Sequence, residues 1–323
     1  MSKLIMVTAA GAACALLATA GAAQQYPVKP VRFIIPQAAG GSTDTVSRIV
    51  AQKLSEALGQ QVVSDNRAGA NGIIGTELAA KSPGDGYTLL AGGTATISIN
   101  VSLYDKLPYD PVKDFTPVAN LAWSTSVLVV HPSVPAKSIK DLIALARAKP
   151  GELRYASAGI GSSPHLSTEV FRMMTKTNVV HVPYKGSTPG VTATVIGETS
   201  FMFTGTASAM AHIKSGRLRA LSVNGLKRSA ALPDVPTADE SGLPGFEVDF
   251  WIGILAPTGT PEAVVTRLNS EVGRILQMND VKERLLTLGM DPIGGSAREF
   301  AALVKKDIAR WAKAIKAAGV KPE

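Results

Sequence analysis

Short apolar, β-branched runs alternate with helix-period runs along most of this chain, and that alternation restricts the fold more than any single motif. Runs at 31–35, 87–91, 127–131, 153–157, 179–182, 200–203, 219–223 and 250–255 read as strands, several of them apolar on both faces. Strands with two apolar faces belong inside parallel sheets covered by helices on both sides. Amphipathic stretches lie between them. Val46, Ile49, Val50, Leu54, Ala57 and Leu58 share one helical face, and Gly59 follows as a stop. The pattern predicts an α/β protein with doubly wound sheets built from βαβ units.

At 323 residues the chain is long enough for two domains. Segments 120–131 and 246–255 read as crossings between two lobes, with a block of strands and helices between them. Beyond Pro257 the pattern is helical: 262–278, a short piece ending at Leu288-Gly289, then 298–317. The last carries Phe300, Leu303, Val304, Ile308, Trp311 and Ile315 on one face. The expected plan is a leader at 1–23, one lobe from 24–122 plus 248–323, and a second from 123–247. A chain that crosses twice makes a hinge, and a ligand cleft lies between the lobes.

The first residues have the form of a secretory signal peptide: Lys3, an apolar run from Leu4 to Ala20, then small residues at Ala20-Gly21-Ala22. The run is short for a membrane span of ~20 residues; a buried N-terminal helix is the alternative. Export predicts a periplasmic protein. The single cysteine, Cys14, falls inside this segment, so the exported chain would have no thiol for disulfides, nucleophilic catalysis or metal binding. Gly11-Ala12-Ala13 lacks the bulky aliphatic residue that precedes a lipid-modified cysteine. Losing Lys3 takes the 33 basic side chains to 32, against 25 acidic ones, a charge of +7. They are scattered, and aromatic residues make up only 5%, too few for base-stacking platforms. Nucleic acid is not an expected partner. A general attraction for small anions fits, as does mere solubility.

The chemistry concentrates at strand ends. Pro36-Gln37-Ala38-Ala39-Gly40-Gly41-Ser42-Thr43-Asp44 follows the first strand and opens the Val46 helix. Gly40 and Gly41 permit a tight turn, and Ser42, Thr43 and Asp44 read as N-cap residues. A helix start of this kind holds a carboxylate with its free N–H groups and positive dipole end; it also suits a capped βα turn with no ligand. The middle block repeats the design in Ser157-Ala158-Gly159-Ile160-Gly161-Ser162-Ser163-Pro164-His165, with Pro164 fitted to a first helical turn. Two such turns, one per lobe, can face each other. Three more strand ends, at 92–96, 184–189 and 204–208, bring Thr94, Thr96, Tyr184, Lys185 and Thr204 to the side where open α/β sheets bind ligands.

Catalytic patterns are missing. There is no G-x-S-x-G elbow and no G-x-x-x-x-G-K-[ST] loop, and Pro164 spoils the dinucleotide fingerprint begun by Gly159 and Gly161. His131, His165, His181 and His212 are far apart in sequence and form no pair at metal-ligand spacing. His131 and His181 read as structural, and only His165 sits near a candidate turn. Arg67 reads as a partner of Asp65, and Trp123 and Trp251 as hinge or core packing. No metal or cofactor is expected, and the chain does not read as an enzyme. A hydrolase acting on small esters is the outlying alternative.

The chain also resembles the Bug/TctC family, the extracytoplasmic solute receptors of tripartite tricarboxylate transporters. Tyr26-Pro27-Val28-Lys29-Pro30-Val31-Arg32 looks like the family's opening, and 36–44 resembles its P-x-x-P-G-G-x-x-D turn. Asn66-Arg67-Ala68-Gly69-Ala70, Asp85-Gly86-Tyr87-Thr88-Leu89-Leu90, Leu107-Pro108-Tyr109-Asp110-Pro111, His181-Val182-Pro183-Tyr184-Lys185-Gly186 and Leu232-Pro233-Asp234-Val235-Pro236-Thr237 are similar to further motifs, in family order. The resemblance implies a type II periplasmic-binding-protein fold, with two doubly wound lobes joined by two crossing strands. It also implies a small organic acid, mono- or dicarboxylate and aromatic ones included, held mainly by backbone amides and hydroxyls. Carried over, the site comprises Ala39, Gly40, Gly41, Ser42, Thr43 and Asp44, then Ser157, Ala158, Gly161, Ser162 and His165, lined by Thr94, Thr96, Tyr184, Lys185 and Thr204. The implied partners are inner-membrane transporter subunits, the protein itself acting as a monomer; a ligand sensor feeding a two-component system is the alternative on the same fold. Two departures stand out. Ala39 replaces a frequent Pro. Thr204 replaces a frequent Asp, which removes the charge an amino-acid ligand would use and favours a plain carboxylate.

Overall fold

A computed structural model describes residues 26–318, except 125, 226 and 230. The leader at 1–23, Cys14 included, lies outside the described residues. Two sheets organise the chain. The first contains β1 (Val31–Ile35), β2 (Val62–Asn66), β3 (Thr88–Gly93), β4 (Phe115–Ser124), β10 (Phe250–Pro257) and β11 (Met290–Pro292), in the order β11-β4-β10-β3-β1-β2. The second contains β5 (Ser126–Val130), β6 (Arg154–Ser157), β7 (Val180–Pro183), β8 (Phe201–Gly205) and β9 (Arg219–Val223), in the order β7-β6-β8-β5-β9. Parallel pairs form wherever a helix returns the chain: β2-β1-β3 in the first sheet and β7-β6-β8 in the second. The strands beside the crossings, β10 and β4 in one sheet and β5 in the other, run antiparallel to their neighbours.

The expected strands are present, with ends shifted by a residue or two. Three others escaped the apolar pattern. β2 ends in Ser64-Asp65-Asn66, which an edge strand tolerates because it pairs only with β1. β4 contains Pro117 and Asn120. The three-residue β11 pairs only with 122–124, so Pro117 sits where β4 is effectively an edge. β11 itself is too short to show a period.

Helices cover both sheets. α1 (Ser42–Leu58) buries Val46, Ile49, Val50 and Leu54 against the first sheet, and Gly59 ends it in the left-handed region at φ 66°. α2 (Ile73–Ala80) and α3 (Asn100–Leu103) follow in the first unit. In the second, α4 (Ile139–Ala148), α5 (Ser163–Thr175), α6 (Ser187–Val195) and α7 (Thr206–Lys214) alternate with strands. The chain then closes with α8 (Glu262–Gln277), α9 (Asn279–Thr287) and α10 (Ala297–Ala318). Among the described residues, no helix is long and apolar enough to cross a membrane.

The two sheets are joined at adjacent points. β4 passes to β5 across a single residue, and the return runs into β10 through Asp249. The Asp249 carboxylate accepts the Ser126 N–H at 3.4 Å and a bond from the Trp123 side chain, so one crossing is tied to the other. Burial holds that carboxyl up at about 6. α10 ties the units again. Phe300 packs edge-on against Trp251 at 5.1 Å, and the Trp251 indole donates to Asp307 at 2.8 Å. One helical stretch further on, Trp311 and Ile315 enter the core of the second sheet.

Candidate functional site

The turn between β1 and α1 is held from behind by a buried carboxylate. Asp44 is 3% exposed. Its Oδ2 accepts the Gly40 N–H at 2.9 Å; its Oδ1 accepts Arg48 Nε and Asn66 Nδ2, each at 2.9 Å. Asn66 also donates to the Gln37 carbonyl at 3.0 Å. Burial alone would raise the Asp44 carboxyl; Arg48, the Gly40 N–H and Asn66 outweigh it and hold the group below the usual carboxylate range. This corrects the reading of Ser42, Thr43 and Asp44 as caps. Gly41 is the N-cap, no side chain caps the helix, and Asp44 braces the loop through the bonds to Gly40, Arg48 and Asn66. The first-turn N–H groups of α1 have no intrahelical acceptor. Ala39 and Gly40 are exposed, Gly41 and Ser42 half-buried, and Thr43 buried.

The turn between β6 and α5 is built differently. Ser157 Oγ accepts the Gly159 N–H at 3.0 Å, and Ser162 Oγ donates to the Gly159 carbonyl at 2.6 Å. Gly159 and Gly161 take φ of 115° and 71°, a region glycine enters without steric cost. Ser162 is the N-cap of α5 without a side-chain cap bond, and Pro164 stands in the first turn. His165 faces inward: it is 8% exposed and its Nδ1 accepts the Gly161 N–H at 3.1 Å. It therefore braces the turn.

Contacts between the two units bring these turns to one junction. Asn71, at φ 51°, donates through Nδ2 to Asn100 Oδ1 at 2.8 Å and to the Gly161 carbonyl at 3.1 Å. Asn100 returns a bond to the Asn71 carbonyl at 3.1 Å. The loop carrying Asn71 also lies on the first turn, because a methyl group at Gly72 would stand 3.0 Å from the Pro36 carbonyl. A methyl group at Gly205, just before α7, would stand 3.2 Å from both Ser42 Oγ and Ser124 Oγ. One at Gly161 would fall inside Leu103, and one at Gly289 inside Thr206. Small residues at the meeting points let the two units approach closely.

The remaining residues divide. Tyr184 is half-buried and Lys185 exposed. Ala158 is half-buried beside the second turn. Thr204 is fully buried, and its hydroxyl has no hydrogen-bond partner among the described residues. The expected lining role of Thr94 and Thr96 meets competition from bonds already made. Thr94 Oγ1 accepts the Trp251 N–H at 3.0 Å, and Thr96 Oγ1 accepts the Gly93 N–H at 3.2 Å. Thr94→Val is accordingly expected to lower stability by about 1–3 kcal/mol, because it strands a buried N–H, while solute affinity changes less than twofold. Urea melts and calorimetric titration check the two halves.

Sequence reasoning missed Asn71, Leu103, Gly205 and His181. Their roles arise from contacts between distant segments; the only local signal is the Gly-Ala-Asn-Gly run at 69–72, since asparagine enters the left-handed region more readily than other side chains. It also placed the histidines far apart, whereas the fold stacks His165 on His181 with centroids 4.2 Å apart. No cluster of metal-binding side chains occurs among the described residues.

Comparison with known proteins agrees with this fold. The model of the tripartite tricarboxylate transporter family receptor matches residues 46–320. A protein from the tcbD-tcbE intergenic region of Pseudomonas sp. (strain P51) is 42% identical, covering 95% of this chain and 92% of its own. Two solved structures superpose closely. R. palustris Rpa4515 with adipate has a TM-score of 0.88 at 38% identity, covering 92% of this chain and 100% of its own. MatC (Rpa3494) from Rhodopseudomonas palustris with bound malate has a TM-score of 0.84 at 35% identity, covering 90% and 100%. The two-sheet architecture is the expected periplasmic-binding-protein fold, and the chain belongs to the tripartite tricarboxylate transporter receptor family, whose members are solute-binding proteins rather than enzymes.

Proposed function

We propose that this protein is a periplasmic receptor that captures a small organic mono- or dicarboxylate between its two units and delivers it to inner-membrane transporter subunits. One observation carries the reading: two helix starts without side-chain caps, α1 and α5, each behind a glycine turn, are drawn to one junction by the Asn71–Gly161 bond. Each helix start presents free N–H donors and the positive end of a dipole, contributing about 0.3–1 kcal/mol to an anion and up to ~2 when partly buried. The bound solutes of the two superposed relatives, adipate and malate, are dicarboxylates, which supports the same ligand class here. Thr204 adds a neutral hydroxyl, so no carboxylate of that residue meets an ammonium group. Function is capture and closure: affinity follows the free energy of the closed form with solute relative to the open form without it. Delivery to the periplasm by the leader at 1–23 belongs to the same proposal.

Isothermal titration against malate, adipate, benzoate and a set of amino acids tests it. The expected result is a dissociation constant on the order of micromolar or tighter for at least one acid, about −8 kcal/mol, and none for the amino acids. Binding of amino acids alone would refute the ligand class.

A further inference from the structure

Behind the second turn lies a column of stacked rings, with Tyr155 and His165 buried and His181 half-buried. Tyr155 on β6 stacks on His181 at 4.8 Å, and His181 on β7 stacks on His165 at 4.2 Å. The Tyr155 hydroxyl donates to Glu169 Oε1 at 2.8 Å, and Arg172 Nη1 donates to both oxygens of Glu169 at 2.8 Å. At the other end, His181 Nε2 bonds Ser157 Oγ at 2.6 Å and His165 Nδ1 accepts the Gly161 N–H. Both imidazoles therefore grip the second turn, at its first residue and at its second glycine. Gly161 is held twice, by His165 through its N–H and by Asn71 of the other unit through its carbonyl.

We propose that His165 is a positioning residue that links solute binding to protons: the second turn is held in its binding shape only while this imidazole, stacked on His181, is neutral. The inference rests on the function proposed above. A ring nitrogen that accepts an N–H cannot also carry a proton. Protonating His165 at Nδ1 expels the Gly161 N–H and frees the glycine that Asn71 holds from the other side. His165 Nε2 then faces Glu169 Oε1 at 3.9 Å, too far for a hydrogen bond. Protonating His181 places positive charge 4.2 Å from the His165 ring in the same stack.

The charged and titratable groups facing the pair are Glu169, Arg172 and Tyr155. Glu169 favours protonation, but its carboxylate is shared by Arg172 and Tyr155, and Arg172 opposes it. Burial, the largest effect, pushes both imidazoles down, His181 to about 4. The sign follows. Groups whose folded pKa lies below the ordinary value near 6.5 contribute stability above that value and lose it as pH falls toward 4. Solute affinity falls at the acid end of this range, once pH reaches the depressed values of the folded imidazoles, because solute selects the neutral form.

¹⁵N labelling of histidine and glycine, read by ring and amide NMR between about pH 7.5 and 4, tests the coupling without any solute, and adipate titration over the same range tests the consequence. The ring spectra are expected to show His165 protonated at Nε2 at neutral pH, with the Gly161 amide resonance moving as the ring titrates. Asparagine places an acceptor oxygen at the Nδ1 position and does not titrate. His165→Leu is therefore expected to weaken adipate more than His165→Asn does at neutral pH. As pH falls from about 6.5 to 4 the wild type is expected to lose about tenfold more affinity than H165N, with the loss concentrated at the acid end; the comparison cancels the protonation of adipate itself. Superimposable pH profiles for wild type and H165N, or a proton on Nδ1 at neutral pH, overturn the proposal. If adipate does not bind, whichever of malate or benzoate does bind takes its place; if no acid binds, the ligand class fails, and the Gly161 resonance alone decides: tracking the ring supports the coupling, and indifference to it overturns it.

Discussion

Valine at position 161 is expected to weaken solute binding about a hundredfold while the protein stays folded. Two costs arise at this site and fall on different states. Gly161 has φ of 71°, where an L residue is strained by about 1–2 kcal/mol whether the units are open or closed, so this part appears as lost stability. The second cost exists only when the units meet. A Cβ at 161 falls inside Leu103, which comes from the other unit and is 4% exposed. Overpacking of this kind costs about 1–3 kcal/mol, and displacing the Asn71 bond to the Gly161 carbonyl adds about 1 kcal/mol. A penalty of about 3 kcal/mol on the closed form alone is about a hundredfold in affinity. Titration calorimetry reads the affinity, urea unfolding reads the stability, and small-angle scattering reads whether solute still compacts the protein. Leu103→Ala on the G161V background is expected to restore part of the affinity despite its own cost to the core. If G161V binds solute as the wild type does, the contact between the units has no part in capture.

Much of this arrangement is written locally in the chain. Strand and helix periods around Phe33, Val46, Val50 and Leu54 are set by neighbours a few residues away, and glycines at 40, 41, 159 and 161 mark turns wherever they occur. Roles are a different matter. Asp44 at a helix start reads equally well as cap, ligand contact or brace, and only the positions of Arg48 and Asn66 decide for brace. Thr94 reads as cleft lining until Trp251 arrives from far along the chain with an N–H to satisfy. Asn71 and Gly161 stand ninety residues apart, and no periodicity couples them. His181 read as structural and His165 as near a ligand; the fold stacks the two rings and bonds both to one turn. The sequence reading thus located the turns and missed what holds them, because support comes from the tertiary neighbours of each strand end.

Removing the brace of the first turn is the complementary experiment. Asp44→Ala is expected to cost about 3 kcal/mol of stability and to remove measurable solute binding. The side chain is 3% exposed and satisfies three donors at once, from Gly40, Arg48 and Asn66. Alanine removes three hydrogen bonds to a buried carboxylate, bonds to charged groups being worth about 1.5–3 kcal/mol each, although Gly40 is exposed and Asn66 keeps the Gln37 carbonyl as an acceptor. Arg48 is half-exposed and turns to water at little cost. The loop 37–41 then keeps only the Asn66 bond to the Gln37 carbonyl as its tie to β2, and the Gly40 end of the turn is released. Asp44→Asn separates the charge from the brace. Its amide oxygen can still accept the Gly40 N–H, but its amide nitrogen opposes another donor, so an intermediate loss is expected. The pH dependence has a definite sign. Because the folded carboxyl lies below the ordinary value of 3.8, the stability it contributes is present above that value and is lost as pH falls through the folded pKa. The wild type should therefore lose stability below about pH 4 more steeply than Asp44→Asn. Equal acid unfolding of the two would mean that Asp44 is not charged in the folded protein. Full solute affinity in Asp44→Ala would mean that the first turn keeps its shape unaided, and the carboxylate at its back would then have no part in capture.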